Sequence, residues 1–567
     1  MYKRWLIIFS ALIVVVFSFT VCSQIEVGKF DILIKNGKIV DGTGNPWFYG
    51  DVGIRGDKIV EMGNLARKTA DKIIDAKGLV VSPGFIDMHT HCDSDLGKPS
   101  SSANLNYLTQ GVTTVVTGNC GDSISLKVAA TKAKWEDQGI GTNAVFLVGH
   151  GTIRKTVMGT EPREATREEI EKMKSILHKA MEEGAWGMST GLQSIPDRFA
   201  TTEEIIVLTK VVGEFGGIFT SHQRSEEKYM VEATQETIRI GRETGVHVNT
   251  AHIKAGGKSN WGKMKKASRL INEARSQGIY MTADLYPYDK AAVGSIEQNF
   301  NIPNDMEPLA ELREKMRDRD LPEMERQQFR EQYAEELVKA LSDPVKREQI
   351  KKLTTEGAPD QSNFAVMYGW DSFSIVTARK NTHLIGKIIS DLAEEQGRDP
   401  FDVAADLFIE EKDDVFTSVD TMSEGDMKHV MMQDWLMFSS DGRARPIKKK
   451  IDKPKPGHPR YFGSFPRALR KYVREEKVLT LENAVRKMSS LPASFLKMKD
   501  RGLLVKGFKA DIVIFDPKTI RDNATYADSH QYSKGIEYVI INGKISIENG
   551  EYNGDLSGEV LLLTENQ

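Results

Sequence analysis

Residues 84–91 read GFIDMHTH, an apolar run that ends in two histidines, His89 and His91, separated by one residue. Seven further runs follow the same plan, apolar first and polar at the end. They are TTVVTGNC (113–120), AVFLVGH (144–150), AWGMST (185–190), GIFTSH (217–222), VHVNTAH (246–252), YMTAD (280–284) and LMFSSD (436–441). Charged helical stretches separate them, which is the alternation of a parallel sheet with crossover helices. Eight such units predict an α/β fold, a (β/α)8 TIM barrel, whose polar strand ends gather at the C-terminal face where catalysts of this architecture sit.

Outward from the barrel, assigned to 83–500, both ends of the chain change texture. DILIKNGKIVDGTGNPWFYGDVGIRGDKIV (31–60) reads as short strands punctuated by Asp41-Gly42 and Gly56-Asp57 turns, and ADIVIFDPKTI and YVIINGKI near the other end read alike. Segments 26–82 and 501–567 therefore form one small β domain built from both termini. A charged, helical insertion, about 291–365, falls between the seventh and eighth barrel strands, as in MERQQFREQYAEELVKALSD (324–343). Such a charge run is either a solvated helix face or, given its place at the barrel mouth, a lid over substrate.

Lys3 and Arg4 precede the uncharged run Trp5–Val21, the pattern of a signal peptide over residues 1–23. The expected location is outside the cytoplasm, periplasmic or secreted; a helix anchor and a lipidated Cys22 are the alternatives, since the run approaches the length of a spanning helix. With 77 basic and 80 acidic residues the net charge is −3, which excludes a nucleic-acid surface, and 40% hydrophobic content excludes a disordered chain. Three cysteines (Cys22, Cys92, Cys120) cannot build a disulfide scaffold. The expected partner is a small molecule, with membrane contact only through an N-terminal anchor.

Taken singly, the polar strand ends are ambiguous. A His-x-His pair is as readily a buried hydrogen-bonded pair as a metal site, free cysteine is usually inert in a core, and His222 and His252 each have a structural reading. Together the reading changes. His89, His91, Cys120, His222, His252 and Asp441 end five predicted strands, and barrel closure brings those ends together. Imidazole, thiolate and carboxylate suit zinc, with coordination left open for water.

These residues also carry a resemblance. PGFIDMHTH, GVTTVVTGNCG, EEGAWGMSTGL, SHQRSE, TAHIK, DLYPY, SSDG and HPRYFGSFPR occur in order across nearly all of 30–545, and the chain resembles the N-acyl-D-amino-acid deacylase (D-aminoacylase) family of the amidohydrolase superfamily. The resemblance implies one zinc held tightly by Cys120, His222 and His252, and a second, weakly occupied position at His89, His91 and Asp441. It further implies that Lys254, Tyr288 and Arg460 recognise the substrate carboxylate and acyl group, with Tyr288 favoured over Tyr286. Ser295 joins them at a spacing that differs from the family's. Lys254 and Arg460 also have readings as plain surface charges. Cys92 stands where relatives carry an acidic residue and reads as a packing variant; His150 reads as structural. QSIPDRFA, after STGL, departs from the family pattern, so no side-chain preference carries over.

The implied reaction is hydrolysis of the amide of an N-acyl-D-amino acid. Zinc lowers the pKa of a bound water from ~15.7 to about 7, which makes hydroxide on the metal the nucleophile. Asp441 is then the catalytic general base and acid, and Arg460 fixes the substrate carboxylate. The competing expectations are cyclic-amide hydrolysis, cleavage of dipeptides ending in a D-residue, and a secreted binding protein without catalysis.

Overall fold

The computed structural model of the chain describes residues 29–318, 321–358, 361, 363–447 and 454–565; the expected signal peptide lies outside them. Strand β1 (Phe30–Ile39) opens the small β domain and is followed by β2 (Phe48–Arg55), β3 (Lys58–Gly63), β4 (Ala70–Asp75) and β5 (Val80–Pro83). Ile32, Ile34 and Ile39 of β1 meet Val52 and Ile54 of β2 in a buried aliphatic layer.

The barrel follows directly. Its strands are β6 (Phe85–Asp87), β7 (Val112–Thr117), β8 (Asn143–Gly149), β9 (Gly187–Gly191), β10 (Ile218–His222), β11 (His247–Thr250) and β12 (Met281–Leu285). Beyond an insertion carrying β13 (Lys290–Ser295), β14 (Phe373–Thr377) and β15 (Phe416–Asp420) comes the eighth, β16 (Leu436–Phe438). The eight are parallel and adjacent in chain order, with β16 against β12. First and last meet at the mouth: Thr90 bridges Gly442, Asp441 N donates to His89 O (2.9 Å), and His91 N donates to Gly442 O (2.7 Å). All seven residues of β8 are buried, which explains why these strands read as unbroken apolar runs. The crossover helices carry their own start signals. In Arg167–Glu182, Thr166 and Glu169 form a reciprocal capping box, and Met173, Leu177 and Met181 turn one face inward.

The chain then returns to the small domain through β17 (Ile512–Phe515), β18 (Ile536–Ile541), β19 (Lys544–Glu548) and β20 (Glu551–Tyr552). The sheet order β20-β19-β18-β17-β5-β1-β2-β3, with β4 beside β1, unites the two ends of the chain. A last strand, β21 (Val560–Leu561), leaves this sheet and pairs with the start of β8.

The insertion is larger and less purely helical than the sequence suggests. The expected helices are present at Leu309–Arg317, Glu323–Ser342 and Pro344–Glu356, but the lobe continues to Asp420 through helices Ile389–Gln396 and Pro400–Glu411. An antiparallel sheet, β13-β15-β14, backs them. Phe300, Leu337, Ile350, Phe373, Phe401 and Phe408 form a core separate from that of the barrel. Among the described residues no helix is long and apolar enough to cross a membrane.

Candidate metal centre

Three of the six candidate ligands sit on left-handed backbone immediately past a barrel strand: Cys120 (φ +54°), His252 (+32°) and Asp441 (+47°). Such conformations cost a non-glycine residue about 1–3 kcal/mol and persist only where the surrounding structure imposes them. Gly118 starts the Cys120 turn at φ +75°, so close to β8 that a Cβ would lie 1.9 Å from Leu147 O. The turn directs the thiol among histidines. Cys120 Sγ lies 3.3 Å from His89 Nε2, 3.6 Å from His222 Nδ1 and 3.5 Å from His252 Nε2.

Those separations test the donor set. Zinc–sulfur and zinc–nitrogen bonds of ~2.3 and ~2.05 Å at a tetrahedral angle place sulfur and nitrogen about 3.5 Å apart. The Cys120–His222–His252 triad meets that value, and a second triad, His89–His91–Cys120, shares the same sulfur. Burial disfavours the Cys120 thiolate, but the His89 and His252 charges and the hydrogen bonds with His222 and His252 outweigh it and hold the thiol well below its ordinary pKa. A thiolate is the ligand form of cysteine. The residues fit a metal, and the Cys120 sulfur is common to both donor groups that could hold one.

Asp441 completes the second position, with Oδ1 3.1 Å from His91 Nε2 and 3.7 Å from His89 Nε2. Its Oδ2 is 3.0 Å from Arg460 Nη1. Burial pushes against the Asp441 carboxylate, yet Arg460 and then His91 hold it well below the usual carboxylate range. Arg460 donates a second bond to Ala291 O (2.9 Å), and its guanidinium lies 4.7 Å from the centroid of the Tyr286 ring.

Carboxylates and amides that sequence reasoning passed over orient these ligands. His252 Nδ1 is 2.8 Å from Glu226 Oε1, which also binds Lys254 Nζ. Were Nε2 to hold a metal it would be bare, and Nδ1 would then carry the proton and donate it to Glu226. His222 Nε2 is held by Gln193 Oε1 at 3.1 Å. Asp284, at the end of β12, accepts from His252 N (3.0 Å), Ser439 Oγ (2.8 Å) and Asn249 Nδ2 (2.7 Å) and faces His89 Nδ1 at 3.6 Å. Asp284 closes YMTAD, where the strand-end rule that found the ligand candidates applies to it too, whereas Glu226 closes SHQRSE four residues past the end of β10.

The model of the Amidohydrolase family matches residues 72–344 and 451–547, more than half of the chain. The chain belongs to the amidohydrolase family. It is 31% identical to the D-aminoacylase of Alcaligenes xylosoxydans xylosoxydans over 565 residues, covering 96% of this chain and 99% of the relative. A solved D-aminoacylase with a binuclear metal centre, reported as activated by one metal and attenuated by a second, matches at TM-score 0.70 and 30% identity, covering 94% of this chain and all of that one. The N-acyl-D-glutamate deacylase of Bordetella bronchiseptica, solved with zinc and a phosphonate mimic of the tetrahedral intermediate, matches at 0.71 and 29%, with the same coverage.

Within this amidohydrolase the six ligand candidates and Arg460 converge, whereas two of the expected substrate contacts do not. Tyr288 N bonds back to Tyr286 O around Pro287, a tight turn that sends the two rings apart. Tyr286 stacks under Arg460, while Tyr288 is buried against Arg467, 4.5 Å from the ring centroid, and against His458. The pocket tyrosine is therefore Tyr286, in place of Tyr288. Ser295 ends β13 inside the inserted lobe, bonded to Glu297, and lines a separate cavity of about 370 Å³. Lys254 is buried at the centre, with Nζ 2.8 Å from His252 Nδ1, and its charge is spent on Glu226.

Cys92 is buried, its sulfur 3.2 Å from Thr90 Oγ1, and burial pushes the thiol pKa well up. His150 sits in a buried network. Its Nδ1 meets Asp197 Oδ1 at 2.8 Å and its Nε2 meets Glu204 Oε1 at 2.9 Å, while Asp197 Oδ2 accepts from Gly191 N (2.6 Å). Asp197 also backs the Cys120 turn, where a Cβ on Gly121 would lie 2.1 Å from its Oδ2.

Proposed function

We propose that this amidohydrolase cleaves the amide bond of N-acyl-D-amino acids, releasing a D-amino acid and a carboxylate. The observation that carries the reading is the shared Cys120 sulfur between two imidazole-bearing triads, in a chain about 30% identical along most of its length to D-aminoacylase. Cys120, His222 and His252 would hold one zinc ion tightly, and His89, His91 and Asp441 would line a second, weaker position. When bound, the metal supplies Lewis acidity toward the acyl carbonyl and a water of lowered pKa.

The chain's own residues supply the rest. Asp441 accepts the water proton at Oδ1, the oxygen beside His89 and His91, and delivers it to the departing amine nitrogen, two steps that one carboxylate performs in turn. Arg460 holds the other Asp441 oxygen, and its buried Nε has no acceptor. A substrate carboxylate offered there gains a charge-assisted bond that fixes the α-carbon and so selects an enantiomer. Dipeptides ending in a D-residue carry the same amide and carboxylate and belong to the proposed substrate range. Export from the cytoplasm is proposed from the Lys3-Arg4 flank and the Trp5–Val21 run, with membrane contact only if that segment is retained; N-terminal sequencing of the mature protein tests it.

The test pairs zinc analysis with a panel of racemic N-acetyl-amino acids and dipeptides, scored by enantiomer, beside hydantoins. Bound zinc with release of D-amino acids alone is the expected result. Cleavage of hydantoins in preference, or zinc without any hydrolysis, overturns the reading.

A further inference from the structure

His458, the histidine of HPRYFGSFPR, touches no candidate metal ligand but uses both ring nitrogens. Nδ1 accepts from Arg460 N at 3.1 Å, and Nε2 donates to Lys290 O at 2.8 Å. Only a neutral imidazole protonated on Nε2 satisfies both. The ring is buried, with 4% of the residue exposed, and Tyr286, Tyr288 and Tyr526 pack edge-on around it at 5.4–5.7 Å between centroids.

Lys290 is the first residue of β13 and hence the entry to the inserted lobe. A bulge interrupts the pairing there: Lys290 stands opposite Asp420 and Ala292 opposite Val419, which leaves Ala291 as the extra residue. Consecutive strand carbonyls ordinarily point apart. At this bulge Lys290 O and Ala291 O both face the HPR turn, one accepting from His458 and the other from Arg460 Nη1 at 2.9 Å. The lobe's exit is tied to the same point, since Asp289 O accepts from Met422 N (2.9 Å) and Asp289 Oδ1 from Tyr526 OH (3.2 Å). The entry neck thus bonds directly to the imidazole, and the exit neck reaches it through Asp289 and Tyr526, whose ring packs edge-on against His458.

We infer that His458 is a positioning residue, the joint through which the inserted lobe sets the placement of Arg460. The inference rests on the N-acyl-D-amino-acid reading only for its kinetic arm. Its two halves separate chemically. Asparagine places a carbonyl near Nδ1 and accepts from the N–H two residues on, as in an Asx turn, but stops short of Lys290 O. Glutamine places an amide N–H near Nε2, where it reaches Lys290 O, but offers Arg460 N no acceptor.

The experiment compares zinc-loaded wild type, His458→Asn, His458→Gln and His458→Phe by N-acetyl-D-amino-acid kinetics and by amide hydrogen exchange over 290–295 and 416–420. His458→Gln is expected to raise KM about tenfold with neck exchange near wild type. His458→Asn cuts the bond to the lobe, and is expected to raise KM about tenfold as well and to speed neck exchange at least tenfold, with zinc content unchanged in both. If Asn and Gln behave alike in both readouts, or if Phe matches wild type, the joint is refuted and the ring only fills space. Should wild type hydrolyse no N-acyl-D-amino acid, the substrate reading fails, while exchange equal in Asn and Gln remains the separate failure of the joint.

Discussion

Glu226→Gln is the perturbation whose consequences follow most fully from the geometry. Glu226 and Lys254 are each 5% exposed, and the carboxylate holds two partners, His252 Nδ1 at 2.8 Å and Lys254 Nζ. Although burial opposes the carboxylate, Lys254 and then His252 hold its pKa far below the ordinary range. The amide keeps the shape and loses the charge, leaving Lys254 as a buried cation without a counter-ion. Breaking a buried pair from one side costs about 3–5 kcal/mol. Weakening the His252 hydrogen bond lowers metal affinity by ~10–100-fold, which is about 1.4–2.7 kcal/mol at 1.36 kcal/mol per decade. The stability loss is read by denaturant unfolding of the metal-free protein, and the affinity loss by zinc titration against a competing chelator. Adding Lys254→Met to Glu226→Gln removes the stranded charge and should recover most of the stability but not the zinc affinity, because His252 still faces a neutral amide oxygen in place of the carboxylate. The reasoning fails if the single variant unfolds with wild-type stability and binds zinc within twofold of wild type.

Three further outcomes follow. Cys120→Ala removes the sulfur common to both triads, and dialysed protein should retain less than a tenth of the wild-type zinc by elemental analysis. Asp441→Asn should keep zinc within twofold while kcat for N-acetyl-D-amino acids falls ~10²–10⁴-fold, the range for losing a general acid–base group. His150 gives a pH signature. Burial opposes its protonation, but Asp197 and Glu204 raise its pKa to about 9, against ~6.5 unfolded. A raised histidine pKa stabilises fully below the unfolded value and loses that contribution as pH climbs through the folded one. The stability gap between wild type and His150→Gln should therefore shrink by about 3 kcal/mol between pH 6.5 and pH 10 in denaturant unfolding.

The barrel and its candidate ligands were legible because they obey one local rule, an apolar run buried on both faces that ends in a side chain the core would reject. His89, Cys120, His222, His252 and Asp441 all announce themselves so, and closure of β6 on β16 needs no further signal. The outer residues escaped for a different reason. Glu226 lies in a loop four residues past His222, and only tertiary packing reveals that it supports His252 instead. Tyr286 and Tyr288 are alike in sequence, and the turn at Pro287 decides which one meets Arg460. The sheet of the inserted lobe was hidden because β13 and β15 are short and lie on either side of the helices that pack on them, so neither reads as a strand until the other is in place. Ser295 followed that sheet into the lobe and away from the metal ligands.

Zinc-edge X-ray absorption on protein loaded with one zinc tests the central claim most directly. One sulfur near 2.3 Å, two imidazole nitrogens near 2.05 Å, and loss of the sulfur scatterer in Cys120→Ser are the predicted result. A shell of nitrogen and oxygen alone, unchanged by that substitution, would contradict the thiolate-centred site.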